Sequence, residues 1–143
     1  GAGNAIKLRY PDAIRPWQHV LDCLSGYLRL MEALLDGRGE GVWNFGPDPS
    51  AFRSVHETAE LAVRAWGSDL VWVLDGDDHP QEADLLTLDA TRARSELGWK
   101  DLLSFEEAVK WAVDWECQVR SGKGVLDTSL EQIDHYEALG SAP

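Results

Sequence analysis

The sequence predicts one mixed α/β domain in which helices outweigh short strands. Its 143 residues are enough for one hydrophobic core and too few for two comfortable ones, so residues 1–143 are expected to form a single domain. Hydrophobic residues make up 44% of the chain and charged residues 27%, which is the balance of a globular protein. The predicted elements alternate between strand and helix early and end in three consecutive helices, which favours a mixed, helix-rich fold.

The first half of the chain shows this alternation directly. The segment "AIKLRY" has a short strand-like pattern that Pro11 ends. From Val20 onward apolar residues recur at spacings of three and four, which predicts a helix that ends near Gly37. The segment "GVWNFG" at 41–46 is typical of a strand. The expected buried face of the helix consists of Val20, Leu21, Leu24, Tyr27, Leu28, Met31, Leu34 and Leu35.

Capping motifs and glycines delimit the later helices. A serine followed three residues on by Glu or Gln predicts a helix start, because the two residues cap each other's free backbone N–H groups. Three such pairs occur, Ser54 with Glu57, Ser104 with Glu107 and Ser129 with Gln132. The helix that Ser54 caps is expected to end at about Trp66, before Gly67, and the helix that Ser129 caps is expected to run toward Leu139. A short helix is expected between Asp89 as N-cap and Gly98 as stop.

Two predicted strands flank a polar, acidic loop. The runs "LVWVL" at 70–74 and "LLTL" at 85–88 favour strands, and "DGDDHPQEAD" at 75–84 lies between them. The loop gathers five acidic residues around His79, a composition that suits either a weakly held Ca²⁺ or Mg²⁺ or a solvated loop. The spacing of an EF-hand is absent, so the solvated loop is favoured and no metal site is predicted.

Charge and composition exclude two classes of partner. Lys and Arg number 13 against 25 Asp and Glu, and this net charge of −12 repels nucleic acid and anionic membranes. No apolar run approaches the roughly eighteen residues that span a bilayer, and the first ten residues have no signal-peptide pattern. A cytoplasmic protein is therefore expected. Cys23 and Cys117 lie far apart without a metal-ligand spacing, which favours two reduced thiols over a disulfide.

The segment "AIRPWQHVLD" at 13–22 combines residue types that are unusual side by side. Pro16 biases Arg15 toward an extended backbone, from which the guanidinium can bind phosphate oxygens through two parallel hydrogen bonds. Trp17 is expected to wedge the segment into the core, and His19 to cap the helix that follows. The alternative is that Arg15 pairs with a surface carboxylate and Trp17 only fills space.

Four stretches together resemble a known family. They are "LRYPDAIRPWQHVLDCLSGYLRL", "GVWNFGP", "DDHPQEADLLTLDATRARSELGWK" and "SFEEAVKWAVDW". They are similar to the C-terminal half of CDP-glucose 4,6-dehydratases, which belong to the extended short-chain dehydrogenase/reductase family of nucleotide-sugar dehydratases and epimerases. The resemblance covers about Ala5 to Tyr136. It implies the small, helix-rich substrate lobe of these enzymes without their Rossmann domain.

The resemblance also implies a binding role for particular residues. The arginine of the matching segment, here Arg15, contacts the diphosphate of the nucleotide sugar in that family. The full set of substrate-binding candidates is Arg9, Arg15, Trp17, His19, Asn44 and His79. The chain departs from the family at Gln81 and Asp84, where the family usually has histidine, and Asp84 would add negative charge near a diphosphate.

The family's catalytic and cofactor motifs have no counterpart in this sequence. Gly37, Gly39 and Gly41 alternate, but they follow a helix rather than a strand, which is typical of a turn and not of a dinucleotide loop. No Tyr-x-x-x-Lys pair occurs. No catalytic residue is therefore assigned, NAD is expected only together with a Rossmann half, and the chain is not expected to run the dehydratase reaction alone.

Two functions remain open at this point. The first is a module that binds a CDP-sugar weakly, either trimmed from a longer enzyme or one half of a split enzyme whose partner chain carries the Rossmann half. The second is an interaction module that has lost ligand binding and forms a homo-oligomer through the former interdomain face. Trp17 and Trp43 are the residues expected at the centre of that interface.

Overall fold

Five helices and two small sheets make up the part of the chain that the computed structural model describes, residues 5–67 and 70–141. The strands are β1 (Ala5–Leu8), β2 (Ile14–Pro16), β3 (Phe52–Ser54) and β4 (Val71–Leu74). The helices are α1 (Val20–Leu35), α2 (Val55–Trp66), α3 (Thr91–Leu97), α4 (Phe105–Arg120) and α5 (Val125–Gly140), and a 3₁₀ turn covers Pro49–Ala51. The predicted mixed, helix-rich α/β class is confirmed, and within the described residues no sheet has more than two strands.

The parallel pairing of β1 with β4 places two polar segments at one edge. Leu8 lies opposite Leu74, so the carboxyl ends of both strands meet there. The backbone N–H of Asp75 donates to the carbonyl of Leu8 at 2.8 Å, which extends the pairing by one residue. Arg9 follows β1 and the acidic loop 75–84 follows β4, and the sheet therefore brings the loop next to the start of the Arg15 segment.

A second, antiparallel pair joins β2 to β3, with Arg15 opposite Arg53. The sequence did not predict either strand, because three-residue runs are too short to show an alternation. The free edge of β2 contacts the predicted strand at 85–88 only through the bridge between Ile14 and Leu85. The prediction of a strand at 85–88 is therefore wrong: β2 is too short to support a longer ladder along that edge.

The predicted strand at 41–46 is also wrong, because it has no strand partner among the described residues. Its aromatic side chains have a different role. Phe45 is buried and packs edge-on against Trp99, with ring centroids 5.2 Å apart. Trp43 packs against the same cluster and lies under the guanidinium of Arg92 at 3.8 Å. The β-rich composition of 41–46 thus reflects burial and not pairing.

Two of the three predicted capping boxes are confirmed. Ser54 and Glu57 cap α2, and Ser104 and Glu107 cap α4, each with both reciprocal hydrogen bonds. The third is wrong, because α5 begins at Val125 and Ser129 lies inside the helix. The Ser129 hydroxyl donates to the Val125 carbonyl at 2.8 Å and accepts from the indole of Trp115 at 3.1 Å. It therefore links α5 to α4.

The predicted buried face of α1 is exposed in this chain, apart from the half-buried Leu21. The exposed fractions of its other residues run from 45% at Leu24 to 81% at Leu35. The side of α1 that is buried carries Asp22, Gly26 and Ala33 instead. Periodicity identified the apolar face correctly, but it carries no information about what covers that face. We call Val20, Leu24, Tyr27, Leu28, Met31, Leu34 and Leu35 the apolar face of α1.

The core of the described chain consists of two clusters around α1. Phe45, Ala90, Ala93 and Trp99 form the first, and Leu103, Ala108 and Tyr136 the second. Between them lies the buried carboxylate of Asp22. Among residues 5–67 and 70–141, no helix has the length and hydropathy of a membrane span.

Candidate functional site

Two arginines converge on one carboxylate at the edge formed by β1, β2 and the 75–84 loop. An Nη2 atom of Arg9 lies 3.1 Å from Oε1 of Glu82, and Nη2 of Arg15 lies 3.1 Å from Oε2 of the same residue. The side chains of Arg9, Arg15 and Glu82 are 54%, 19% and 37% exposed, so the group lies at the boundary with solvent. We call Arg9 and Arg15 the arginine pair. Each of its guanidinium groups binds one oxygen of a shared anion.

Backbone carbonyls hold Arg15 in place independently of Glu82. Its Nη1 donates to the carbonyls of Ile14 and Ala83, both at 2.9 Å. The extended conformation of β2, which Pro16 favours, points the side chain across to the loop. The guanidinium is thus positioned by the fold, and its Nη2 edge faces the anion.

The 75–84 loop is anchored on both sides of Glu82. The Tyr10 hydroxyl donates to the carbonyl of Pro80 at 2.7 Å and reaches that of His79 at 3.1 Å. The Ile14 N–H donates to the Asp84 carbonyl at 2.8 Å. Both contacts involve the backbone of the loop, so the path of the chain is fixed while the Glu82 side chain extends toward solvent.

Further charges lie on the same two segments of the chain, β1 and the 75–84 loop. Asp75 lies between Lys7, whose Nζ is 3.6 Å from Oδ1, and His79, whose Nε2 is 3.2 Å from Oδ2. Three cationic side chains therefore gather at one edge of a chain whose net charge is −12. Guanidinium groups suit phosphate because their planar donors match its oxygens in pairs. This arrangement can hold an anion with several oxygens.

Three of the predicted site residues make their contacts elsewhere. The Trp17 indole donates to the Arg53 carbonyl at 3.0 Å, and the Asn44 amide donates to the Asp89 carbonyl at 3.4 Å. His19 is buried, and its Nδ1 accepts from the Leu21 N–H at 3.3 Å as the N-cap of α1, as predicted. Within the described ranges no side-chain hydrogen bond or ion pair joins these three to the arginine pair; the one link is the Trp17 backbone N–H, which donates to the Arg15 carbonyl at 3.2 Å. The structure brings together Arg9 and Arg15, while His79 lies on the same loop as Glu82 and its imidazole pairs with Asp75.

Burial determines the protonation state of the histidine cap. Burial lowers the pKa of His19 from its ordinary 6.5, and the neighbouring Asp22 opposes that shift only in part. A neutral ring keeps Nδ1 available as an acceptor for the N–H of Leu21. His19 therefore stabilises the start of α1, which follows the Arg15 segment directly.

Glu82 and Tyr10 were not identified as site residues from the sequence. Glu82 was visible only as one acid of the "HPQEA" stretch, and its contact with Arg15 joins residues 67 positions apart. Helical and strand periodicities carry no signal for a contact of that range. That two arginines face a single carboxylate becomes apparent only once β1, β2 and the loop are placed side by side.

A cleft lined by three cationic and three acidic residues lies at the start of α4. It has a volume of about 430 Å³ and includes the cations Arg53, Arg94 and Lys100 among its lining residues. Arg94 already donates to the Gly46 carbonyl at 3.0 Å and to Asp101 at 3.2 Å. Arg53 donates to the carbonyl of Phe52 at 2.9 Å. These guanidinium groups are engaged with the chain itself, which makes this cleft the weaker anion site.

The alternating glycines do not form a dinucleotide loop. Gly37, Gly39 and Gly41 all have positive φ angles and follow the end of α1. A dinucleotide cradle needs its glycines between a strand and the N-terminus of a helix, where backbone N–H groups face the pyrophosphate. These residues therefore do not fit NAD. Within the described residues, no group of three His, Cys, Asp or Glu side chains is placed to hold a metal ion.

Comparison with known proteins places this geometry in a family context. No protein-family model matches the chain. The CDP-glucose 4,6-dehydratase of Salmonella typhimurium is 39% identical over 134 residues, which cover 92% of this chain and 37% of that enzyme. The UDP-glucose 4-epimerase 2 of Oryza sativa subsp. japonica is 24% identical over 93% of this chain and 32% of that protein. The chain thus spans about a third of the length of these relatives.

A solved structure has the same fold. The structure of RMD from Pseudomonas aeruginosa complexed with NADPH matches 81% of this chain and 36% of that chain with a TM-score of 0.63. Its sequence identity of 24% makes this a likeness of fold alone. The 39% identity to the dehydratase and the likeness of fold agree with the resemblance that the Arg15 segment and the 75–84 loop carry. Over 92% of its own length the chain is related to a segment of CDP-glucose 4,6-dehydratase, and it has the fold of the matching part of the RMD structure.

Proposed function

We propose that the chain binds the diphosphate of a nucleotide sugar of the CDP-glucose type at the arginine pair. The observation that carries this proposal is the convergence of Arg9 and Arg15 on the two oxygens of one carboxylate, which here stands where a phosphate would bind. The names of the relatives support the ligand class, because both CDP-glucose and UDP-glucose are sugars linked to a nucleoside diphosphate. In this proposal residues 1–143 form one nucleotide-sugar-binding lobe.

The proposed contribution of this chain is binding rather than chemistry. Arg15 is seated by two carbonyls and supplies a fixed donor edge, while the more exposed Arg9 closes on the ligand from the strand end. His79 lies on the same loop and faces Asp75, close enough to the Tyr10 segment to border the ligand. Oxidation of the sugar needs a nicotinamide, and we propose that a Rossmann half, on a partner chain or in a longer protein, supplies that site. The affinity of the chain alone is expected to be weak.

Removal of Arg15 tests the proposal. Hydrogen bonds to a charged group contribute about 1.5–3 kcal/mol, so Arg15→Ala is expected to weaken CDP-glucose binding by at least about tenfold. The measurement is a titration followed by the ³¹P resonances of CDP-glucose at low ionic strength. Arg38→Ala is the matched control, since Arg38 is exposed and its one ion pair within the described residues is with Asp36, beyond the end of α1. Equal affinity of the parent and Arg15→Ala would remove the assignment.

The apolar face of α1 favours a second candidate function, self-association. Seven large apolar side chains on one helix are exposed by 45–81%, and such a patch is seldom left bare on a monomer. Trp17 and Trp43, the residues expected at the interface, are half-buried, and their indoles donate to the chain's own backbone. We therefore move the centre of the proposed homo-oligomer interface to Leu28 on α1, where two-fold pairing would bury the same face of both copies.

Light scattering tests this second candidate. The parent chain is expected to have the mass of a dimer at high concentration, and Leu28→Lys the mass of a monomer, because the charge would be buried in the interface. Leu126→Lys is the control, since Leu126 is a leucine on α5 that is 69% exposed, against 58% for Leu28, and its replacement should leave the dimer intact. A parent chain that stays monomeric at high concentration would exclude self-association.

A further inference from the structure

We propose that the cleft between the start of α1 and the helices α4 and α5 binds a small, neutral, hydroxylated aromatic molecule. The cleft has a volume of about 380 Å³, and all three helices contribute to its lining. A closed apolar cavity of roughly 150 Å³ is enough to hold benzene, so this cleft has room for a substituted ring. Neither Arg9, Arg15 nor the 75–84 loop lines it, and the inference does not depend on the nucleotide-sugar site.

The cleft is free of formal charge in a chain whose net charge is −12. Its walls are mainly apolar and include Leu21, Ala112, Trp115 and Ile133. The cleft at the start of α4, by contrast, is lined by six charged side chains. An ion that entered the apolar cleft would lose its hydration without meeting a counter-charge, which is costly. A neutral, mainly apolar ligand is therefore favoured over a phosphate or a carboxylate.

His19 offers one hydrogen-bond donor to this cleft. Its Nδ1 accepts from the Leu21 N–H at 3.3 Å, so the neutral ring carries its proton on Nε2. Among the described residues Nε2 has no hydrogen-bond partner, and the atom is not fully buried. The ring is held edge-on against Trp111, with centroids 5.8 Å apart. A ligand in the cleft thus meets a fixed N–H donor.

Gln132 offers one acceptor to the same cleft. Its Nε2 donates to the Trp111 carbonyl at 2.8 Å, which fixes the amide and leaves Oε1 without a partner among the described residues. The Ser129 hydroxyl is already engaged, because it donates to the Val125 carbonyl and accepts from the Trp115 indole. A phenolic hydroxyl both accepts and donates, so it can satisfy the free donor and the free acceptor together, whereas a hydrocarbon satisfies neither.

Buried hydrogen bonds hold the walls of the cleft in place without a ligand. Asp22 on α1 accepts from the Tyr136 hydroxyl on α5 and from the N–H of Leu102, which precedes α4, each at 2.7 Å. The three helices are therefore positioned before the ligand arrives, and binding does not have to order the chain. A single substituted ring has few atoms, so its dissociation constant is expected to be of the order of 1 mM.

Three ligands with the same methylphenyl ring test the class of molecule. p-Cresol adds a hydroxyl to the ring, 4-methylbenzoate adds a carboxylate, and toluene adds nothing. In the chain labelled with ¹⁵N at its indoles, p-cresol is expected to shift the Trp115 N–H resonance, assigned by its loss in Trp115→Phe. The Trp99 resonance, from the core cluster around Phe45, should stay in place. Toluene should bind about three- to tenfold more weakly than p-cresol, and 4-methylbenzoate should give no shift.

Two variants test the location of the site. Ala112→Trp fills the cleft and is expected to abolish p-cresol binding, while Ala138→Trp adds the same side chain at an exposed position on α5 outside the cleft and should have no effect. Gln132→Met keeps the length of the side chain and removes the acceptor. It should lower the affinity for p-cresol to that for toluene and leave the affinity for toluene unchanged. Thermal unfolding checks that each variant is folded.

The possible results separate the ligand class from the site. Equal affinities for p-cresol and toluene, or a Gln132→Met variant that binds p-cresol as tightly as the parent, would overturn the hydroxylated class. Binding that survives Ala112→Trp, or a Trp115 resonance that p-cresol leaves unmoved, would overturn the site. Val20 belongs both to the cleft and to the apolar face of α1, so p-cresol is also titrated into Leu28→Lys. Retained binding there supports the inference, and lost binding would place the probe between two copies and overturn it.

Discussion

Replacement of Asp22 by alanine should destabilise the chain by about 3 kcal/mol, because it removes the acceptor of the Leu102 N–H and the nearer of the two acceptors of the Tyr136 hydroxyl, the other being Ser25 at 3.2 Å. Asp22 is 1% exposed, and its Oδ1 accepts from the Leu102 N–H and from the Tyr136 hydroxyl, each at 2.7 Å. These bonds join α1 to the segment before α4 and to α5. Urea unfolding gives the measurement, and Asp36→Ala, an exposed aspartate after the end of α1, should change stability by less than about 0.5 kcal/mol.

The same carboxyl should give a characteristic dependence of stability on pH. Burial raises the pKa of Asp22 above 3.8, its ordinary value, although the bonds from Leu102 and Tyr136 oppose that shift. The folded chain therefore keeps a proton that the unfolded chain has lost, and this contribution to stability falls as pH rises from about 3.8 through the raised value. Asparagine does not titrate, so the stability of Asp22→Asn relative to the parent should improve across that window. A constant difference between the two proteins from acid to neutral pH would contradict this account.

Replacement of Gly26 by alanine should destabilise the chain by roughly 1–3 kcal/mol, although alanine is the better helix former by about 1 kcal/mol. A Cβ at position 26 would lie 2.3 Å from Cδ1 and 2.7 Å from Cγ of Phe45. The phenyl ring cannot move aside easily, because it is buried and packs edge-on against Trp99 and Tyr27. The contact requires glycine, and it determines how closely α1 approaches the 41–46 segment.

The clash at Gly26 can be isolated by a control and a double variant. Gly76→Ala is the control, because nothing lies within 4 Å of a Cβ at that loop position. Phe45→Leu combined with Gly26→Ala should cost less than the sum of the two changes, since the smaller side chain leaves room for the methyl group. Strict additivity, or a Gly26→Ala variant as stable as the parent in urea, would show that the ring adapts.

The helices were predictable because their signals are local. The capping boxes at Ser54 and Ser104 and the stop at Gly98 lie within a few residues of the ends they define. The strands at 41–46 and 85–88 were mispredicted because strand formation depends on a partner elsewhere in the chain. The apolar face of α1 shows the same limit, since its period was correct and its burial was not.

The candidate site was predictable in part for the same reason. Arg15 stands out because Pro16 follows it and fixes its backbone, which is a local signal. Glu82 does not stand out in the sequence, because its contacts with Arg9 and Arg15 form only when β1 and β2 approach the 75–84 loop. The prediction of His19 as a helix cap is confirmed, and its ring contacts Leu21 and Trp111, so its role in substrate binding stays a prediction that the resemblance implies.

The most direct test of the central claim is the response of the arginine side chains to the ligand. In the chain labelled with ¹⁵N-arginine, titration with CDP-glucose should shift the Nε–H resonances of Arg9 and Arg15, assigned by their loss in single alanine variants. The resonances of Arg53 and Arg94, in the cleft at the start of α4, should stay in place because those guanidinium groups are held by the chain itself. Shifts confined to Arg53 and Arg94, with Arg9 and Arg15 unchanged at saturating ligand, would contradict the assignment of the diphosphate to the arginine pair.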